Sequence, residues 1–139
     1  MNIIKAQIDM MLNPLHLNTG VKDGKFKELP QTPNCVSTQT LQAEKRVPAL
    51  PYQGTREESK QKIKAALAAM PDTIKTVEEK DDYLYVIFVS AGMKFKDDVE
   101  FYFDDKTQLI EFRSCSRIGF SDMGVNRKRY DSIKANYCG

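Results

Sequence analysis

Residues 96–103 (KDDVEFYF) and 107–117 (TQLIEFRSCSR), joined by Asp104-Asp105-Lys106, decide the fold. The first segment places Val99, Phe101 and Phe103 on one face and Asp98, Glu100 and Tyr102 on the other, the period of a half-buried strand. The second repeats the alternation, and the short polar link between them makes an antiparallel hairpin. With Asp105-Lys106 read as a two-residue turn, Val99 faces Phe112 and Phe101 faces Ile110 on the core side, while Asp98 faces Arg113 on the other. Upstream, residues 83–90 (YLYVIFVS) are apolar on both faces, which suits a strand covered on both sides. Residues 73–79 (TIKTVEE) alternate more weakly, and Lys80-Asp81-Asp82 supplies another short connection. The expectation is an antiparallel meander of about four strands.

Two helices flank it. Thr55-Arg-Glu-Glu58 is a capping box, in which the cap hydroxyl takes the N3 amide and the N3 carboxylate returns to the cap. Ile63, Ala66, Leu67 and Met70 then recur at helical spacing until Pro71-Asp72 ends the run. A final helix from about Asn126 to Tyr137 turns Tyr130, Ile133 and Tyr137 inward. Residues 13–55 hold Pro14, Pro30, Pro33, Pro48 and Pro51 and no long periodic segment, so they read as a wrapping arm. The whole is an α+β domain over residues 20–139, with residues 1–19 as an N-terminal extension. Ile4, Ile8, Met11 and Leu12 give that extension the spacing of a short amphipathic helix, suited to packing on the body or to peripheral association with a membrane.

Length and composition bound the function. At 139 residues the chain is one domain's worth. Its net charge of +2 is too small to announce a nucleic-acid binder, and nucleic acid is not an expected partner. The charge is uneven, since Arg113 to Gly139 carries six basic against two acidic side chains. No stretch reads as a membrane span or a secretory signal, so the expected compartment is the cytoplasm. The three cysteines, Cys35, Cys115 and Cys138, form no CxxC pair, and His16 is the single histidine. No zinc-like ligand set and no cofactor are expected. Reduced thiols are the simpler reading, with one disulfide plus a free thiol as the alternative in an oxidising compartment.

The polar residues concentrate where the last strand should become a helix. Arg113 and Arg117 share a strand face with Cα atoms roughly 13 Å apart, too far to clamp one small anion unless the strand bends, which Gly119 would permit. On the other face Ile110 and Phe112 give way to Ser114 and Ser116, which marks either the exposed end of the sheet or a polar cavity. With Asn126 as N-cap, Arg127, Lys128 and Arg129 would occupy the first three helical positions and oppose the helix dipole. Either Asp97, Asp98 or Asp122 offsets them internally, or an anion does so at the helix start, or the helix boundary itself lies elsewhere. Asp97 and Asp98 point to opposite faces and cannot form an acid/base dyad. Cys35 is a weak nucleophile candidate, because the only histidine lies in a loop-rich region.

Pro33-Asn-Cys-Val-Ser37 with Gln39, Pro51-Tyr-x-Gly54, Phe95-x-Asp-Asp-Val-Glu-Phe101, Arg113-Ser-x-Ser-Arg-x-Gly119 and Ser121-Asp-x-Gly-x-Asn-Arg127 occur in this order. They resemble the family filed as domain of unknown function 1499, from about Gly20 to near the C-terminus. The resemblance implies no established activity. Many relatives look exported or membrane-attached, and Thr38 stands where they commonly carry serine. Its motifs fall on Asn34, Cys35, Ser37, Gln39, Asp97, Asp98, Glu100, Arg113, Ser114, Ser116, Arg117, Asp122, Asn126 and Arg127. The arm around Cys35 is therefore expected to fold over the Arg113–Arg127 corner.

These readings lean against an enzyme. They favour a binding or interaction module whose arginine-rich pocket takes an anionic small molecule or an acidic partner segment. The candidate ligand-binding set is Asn34, Cys35, Ser37, Gln39, Arg113, Ser114, Ser116, Arg117, Asp122, Asn126 and Arg127. The alternative is a hydrolase using Cys35 or Ser116 with arginine as electrostatic stabiliser.

Overall fold

The computed structural model describes residues 18–92, 94–117 and 124–139. Most of the N-terminal extension, with His16, and the corner residues Gly119 and Asp122 lie outside the described residues. The fold is α+β. A short hairpin, β1 (Val21–Lys22) and β2 (Lys25–Phe26), precedes β3 (Cys35–Ser37), a 3-10 turn (Ala43–Lys45) and β4 (Leu50–Pro51). Helix α1 (Arg56–Ala68) leads into β5 (Thr73–Glu79), β6 (Tyr83–Val89), β7 (Lys96–Asp104) and β8 (Leu109–Ser116), and α2 (Val125–Cys138) closes the chain.

The meander β5–β6–β7–β8 is antiparallel throughout, as its short polar connections require. The sheet nevertheless has six strands among the described residues, in place of about four. Both additions come from the proline-rich arm: β3 and β4 each pair antiparallel with the outer edge of β8. Segments of two and three residues carry no readable periodicity. They are strands only because β8 offers them unpaired amides and carbonyls.

The β7–β8 register also differs from the two-residue turn. Four residues, Asp105 to Gln108, bridge the Asp104–Leu109 pair, and Phe101 faces Phe112 while Glu100 faces Arg113. Gln108 takes a left-handed φ of 56° and donates its amide to Asp104 O at 2.7 Å. The Asp104 carboxylate caps the turn by accepting the Lys106 amide at 2.9 Å. The slip is an even number of residues, so every side chain keeps its face and only its partner changes.

Helices α1 and α2 cover one face of the sheet. Leu84, Val86, Phe88, Val99, Phe101, Phe103, Ile110 and Phe112 form that core with Ile63 and Leu67 from α1 and Tyr130, Ile133 and Tyr137 from α2. Burial of each such side chain contributes about 1.5–3 kcal/mol. Phe112 links the layers, with its ring centroid 5.4 Å from Phe101 and 5.3 Å from Tyr130. The capping box of α1 forms as expected, with Glu58 N donating to Thr55 Oγ1 at 3.1 Å and Thr55 N to Glu58 Oε1 at 3.0 Å. The arm lies on the opposite face, where Phe26 packs with Tyr83, Tyr85 and Ile87. Strand β6 is thus buried on both sides, which explains its unbroken apolar run.

Candidate functional site

On the helix face, the core layer of β8 ends in Ser114 and Ser116, and both hydroxyls are claimed by Asn126. Ser114 Oγ donates to Asn126 Oδ1, and Asn126 Nδ2 donates to Ser116 Oγ and to Asn34 O, each at 2.9 Å. Asn126 does not cap the helix as expected. It occupies the second helical position, behind Gly124, whose φ of 81° turns the chain. Arg127, Lys128 and Arg129 therefore fall at the third to fifth positions, where opposition to the helix dipole has begun to fade. Arg129 is offset directly. Its Nη2 reaches Asp97 at 2.7 Å, its Nη1 donates to Asn126 Oδ1 at 2.7 Å, and its guanidinium stands 4.5 Å above the Phe88 ring. Of the three accounts weighed for the corner, internal pairing is seen at Arg129, and the helix boundary also lies two residues earlier than expected.

The arm face carries the other two arginines. Arg117 forks onto Asp98, Nε at 3.0 Å and Nη2 at 2.8 Å, and Tyr85 donates its hydroxyl to the same carboxylate. Asp97 and Asp98 thus serve separate faces, as their adjacency in a strand demands. Arg113 donates Nε to Lys27 O at 3.0 Å and Nη1 to Glu100 Oε2 at a long 3.4 Å. Glu100 also accepts the Tyr83 hydroxyl at 2.6 Å and the Gly20 amide at 2.7 Å. Burial raises its pKa, against the opposing pull of Arg113 and Tyr83.

Beside these pairs, Cys35 and Cys115 form a disulfide across β3 and β8, closing a loop of 80 residues. Asn34 O accepts the Ser116 amide and Thr38 N donates to Phe112 O. Cys35–Cys115 and Ser37–Arg113 are therefore the non-hydrogen-bonded pairs between them, where side chains stand closest. The reading of reduced thiols is corrected accordingly. An odd cysteine count without CxxC spacing conceals a pair that only strand register brings together. The same bond removes the free thiol that a nucleophilic Cys35 requires. Cys138 is free and exposed.

The arm forms a half-open polar pocket of about 180 Å³ lined by Lys25, Phe26, Lys27, Glu28, Ser37, Gln39 and Thr40. Gln39 holds its rim together, accepting the Phe26 amide and donating to Gly24 O, each at 2.9 Å. Burial alone would raise the pKa of Glu28, but hydrogen bonds from Thr40 Oγ1 and the Leu41 and Leu29 amides bring it below the ordinary value. A second groove of about 270 Å³ and mixed lining lies between the end of α1 and β5, with Leu67, Met70 and Ile74 beside Lys64, Asp72 and Thr76.

A family model described as "Protein of unknown function (DUF1499)" matches residues 25–136. The chain belongs to this family. Comparison with curated proteins and with solved structures finds no match. The matched span takes in the arm from Lys25 onward, the whole six-stranded sheet, α1 and nearly all of α2.

Within that domain the residues singled out from sequence do not make one site. Asn34, Ser114, Ser116 and Asn126 meet on the helix face, whereas Cys35, Ser37, Gln39, Arg113 and Arg117 lie on the arm face. Arg127 joins neither group and donates to Glu44 O at 2.9 Å. The alternation of β8 carries this partition. Lys25, Lys27, Glu28 and Thr40 were missed because nothing local marks them as lining one pocket with Ser37 and Gln39. Among the described residues no group of three His, Cys, Asp or Glu side chains is placed to hold a metal ion, and no helix is long and apolar enough to cross a membrane.

Proposed function

We propose that this domain is a non-enzymatic binding module that recognises an anionic small molecule or an acidic partner segment through arginine. One observation carries the reading. The Arg113 side chain is 2% exposed, yet among the described residues only its Nε and one Nη1 hydrogen have partners. A guanidinium has five N–H donors, and each one buried without an acceptor costs about 1–3 kcal/mol. An anion is the partner that offsets this most fully. The hydrolase alternative has less support, because the Cys35 sulfur is bonded to Cys115 and Ser116 Oγ accepts from Asn126 with no described base upon it. The disulfide also suits an oxidising compartment better than the cytoplasm.

Thermal unfolding of the full chain tests the reading. Phosphate, sulfate, acetate or an acidic peptide should raise Tm above its value in chloride of equal ionic strength. If none of the four does so, the module reading fails. Turnover of phosphate or carboxylate esters that is lost in Ser116→Ala would restore the hydrolase.

A further inference from the structure

We infer that the ligand is a small oxoanion, of phosphate or carboxylate type, and that it binds in the pocket of the wrapping arm, not at the start of α2. The inference rests on the module reading above and names its site. Three independent features converge there.

The first is an unused donor within the pocket. Ser37 is 2% exposed and lines the cavity, and its hydroxyl oxygen accepts the Gln39 amide at 3.1 Å. Among the described residues the hydroxyl hydrogen has no acceptor.

The second is charge behind the wall. Ser37 stands opposite Arg113 at a non-hydrogen-bonded pair, so the two side chains are neighbours on the arm face. Arg113 also donates to Lys27 O, so it adjoins two residues of the lining, Ser37 and Lys27. Lys25 and Lys27 are exposed, line the pocket and add two positive charges to this part of the arm. Among the described residues, two carboxylates, Glu28 and Glu100, stand against these three cations. Glu28 is already saturated by three donors, and Glu100 by the Tyr83 hydroxyl, the Gly20 amide and Arg113.

The third is size. At about 30 Å³ for each water in the liquid, a cavity of about 180 Å³ admits one tetrahedral or planar oxoanion with a few waters. It is well below the roughly 300–1,000 Å³ of pockets that take larger organic ligands. A folded acidic segment would not enter it. The helix-face corner makes the weaker case, because Asn126 and Asp97 already engage Ser114 and Arg129. Ser116, whose hydroxyl hydrogen also lacks a described acceptor, is only half-buried.

The test is amide and guanidinium NMR of the ¹⁵N-labelled full chain, titrated with inorganic phosphate and separately with acetate against chloride of equal ionic strength. Saturable shifts are expected at Lys27, Ser37, Gln39 and the Arg113 Nε–H, and whichever titrant saturates first distinguishes a phosphoryl from a carboxylate ligand. Ser37→Ala should weaken binding about tenfold, as loss of one hydrogen bond to a charged group implies. The double variant K25Q/K27Q changes two exposed side chains, keeps the fold, and should weaken binding at least as much. Saturable shifts confined to Arg127 and Lys128 would overturn this site while leaving the module reading intact. Shifts that chloride reproduces, or none with phosphate or acetate, would overturn this inference, with water satisfying Ser37 and Arg113. The module reading would then fail only if sulfate and the acidic peptide also left Tm unchanged.

Discussion

Arg117 and Asp98 form a two-pronged ion pair beneath the arm, with both side chains almost completely buried. The pair crosses from the end of β8 to β7 and includes the Tyr85 hydroxyl. It ties the end of β8 to the sheet immediately before the chain leaves for α2.

Removing one partner leaves the other charge buried. Asp98→Ala is expected to cost about 3–5 kcal/mol, while a paired apolar replacement, D98L/R117M, should cost distinctly less. Urea unfolding of the two variants beside the parent measures both. Equal losses would mean that the pair acts through shape and not through charge.

The disulfide joins an arm strand of three residues to β8 across 80 residues of sequence. Cys35→Ser or Cys115→Ser should lower stability by about 2–5 kcal/mol, with reduction of the parent giving a similar loss. Alkylation of native, unreduced protein should add one label, at exposed Cys138, as read by intact mass. Three labels would place the two buried sulfurs in the thiol form.

Asn126 is 0% exposed and links Ser114, Ser116 and the Asn34 carbonyl. Asn126→Ala strands those groups and the Arg129 donor, and should cost about 2–3 kcal/mol. Because the site inferred in the arm lies on the other face of the sheet, phosphate affinity should hold within about twofold when measured below the variant's Tm.

Glu100 sets a pH dependence. Its pKa is raised in the folded protein above the ordinary 4.5, so the folded state holds the proton more tightly than the unfolded chain. Its contribution to stability is therefore fully present below the unfolded value and is lost as pH rises through the folded one. The stability difference between the parent and Glu100→Gln should drift against the parent over that window and then level off. Paired urea titrations from about pH 4 to about pH 8 follow the drift, and a difference rising with pH would reverse the assignment.

Much of this fold was legible locally. The alternation of residues 96–117 assigned β7 and β8 and sorted their side chains onto faces, because a strand's period is two whatever it pairs with. Thr55 and Glu58 marked the start of α1, and Tyr130, Ile133 and Tyr137 marked the buried stripe of α2, since caps and helical stripes act within a turn or two. The same logic separated Asp97 from Asp98. Tertiary structure alone decided the rest. The four-residue turn exchanged Asp98 for Glu100 opposite Arg113, and the free edge of β8 made strands of Cys35–Ser37 and Leu50–Pro51. That pairing brought Cys35 to Cys115 and Ser37 to Arg113, contacts between segments some 80 residues apart in sequence. Short-range periodicity cannot encode such contacts, because they form only when closing the long loop is offset by everything that packs with it.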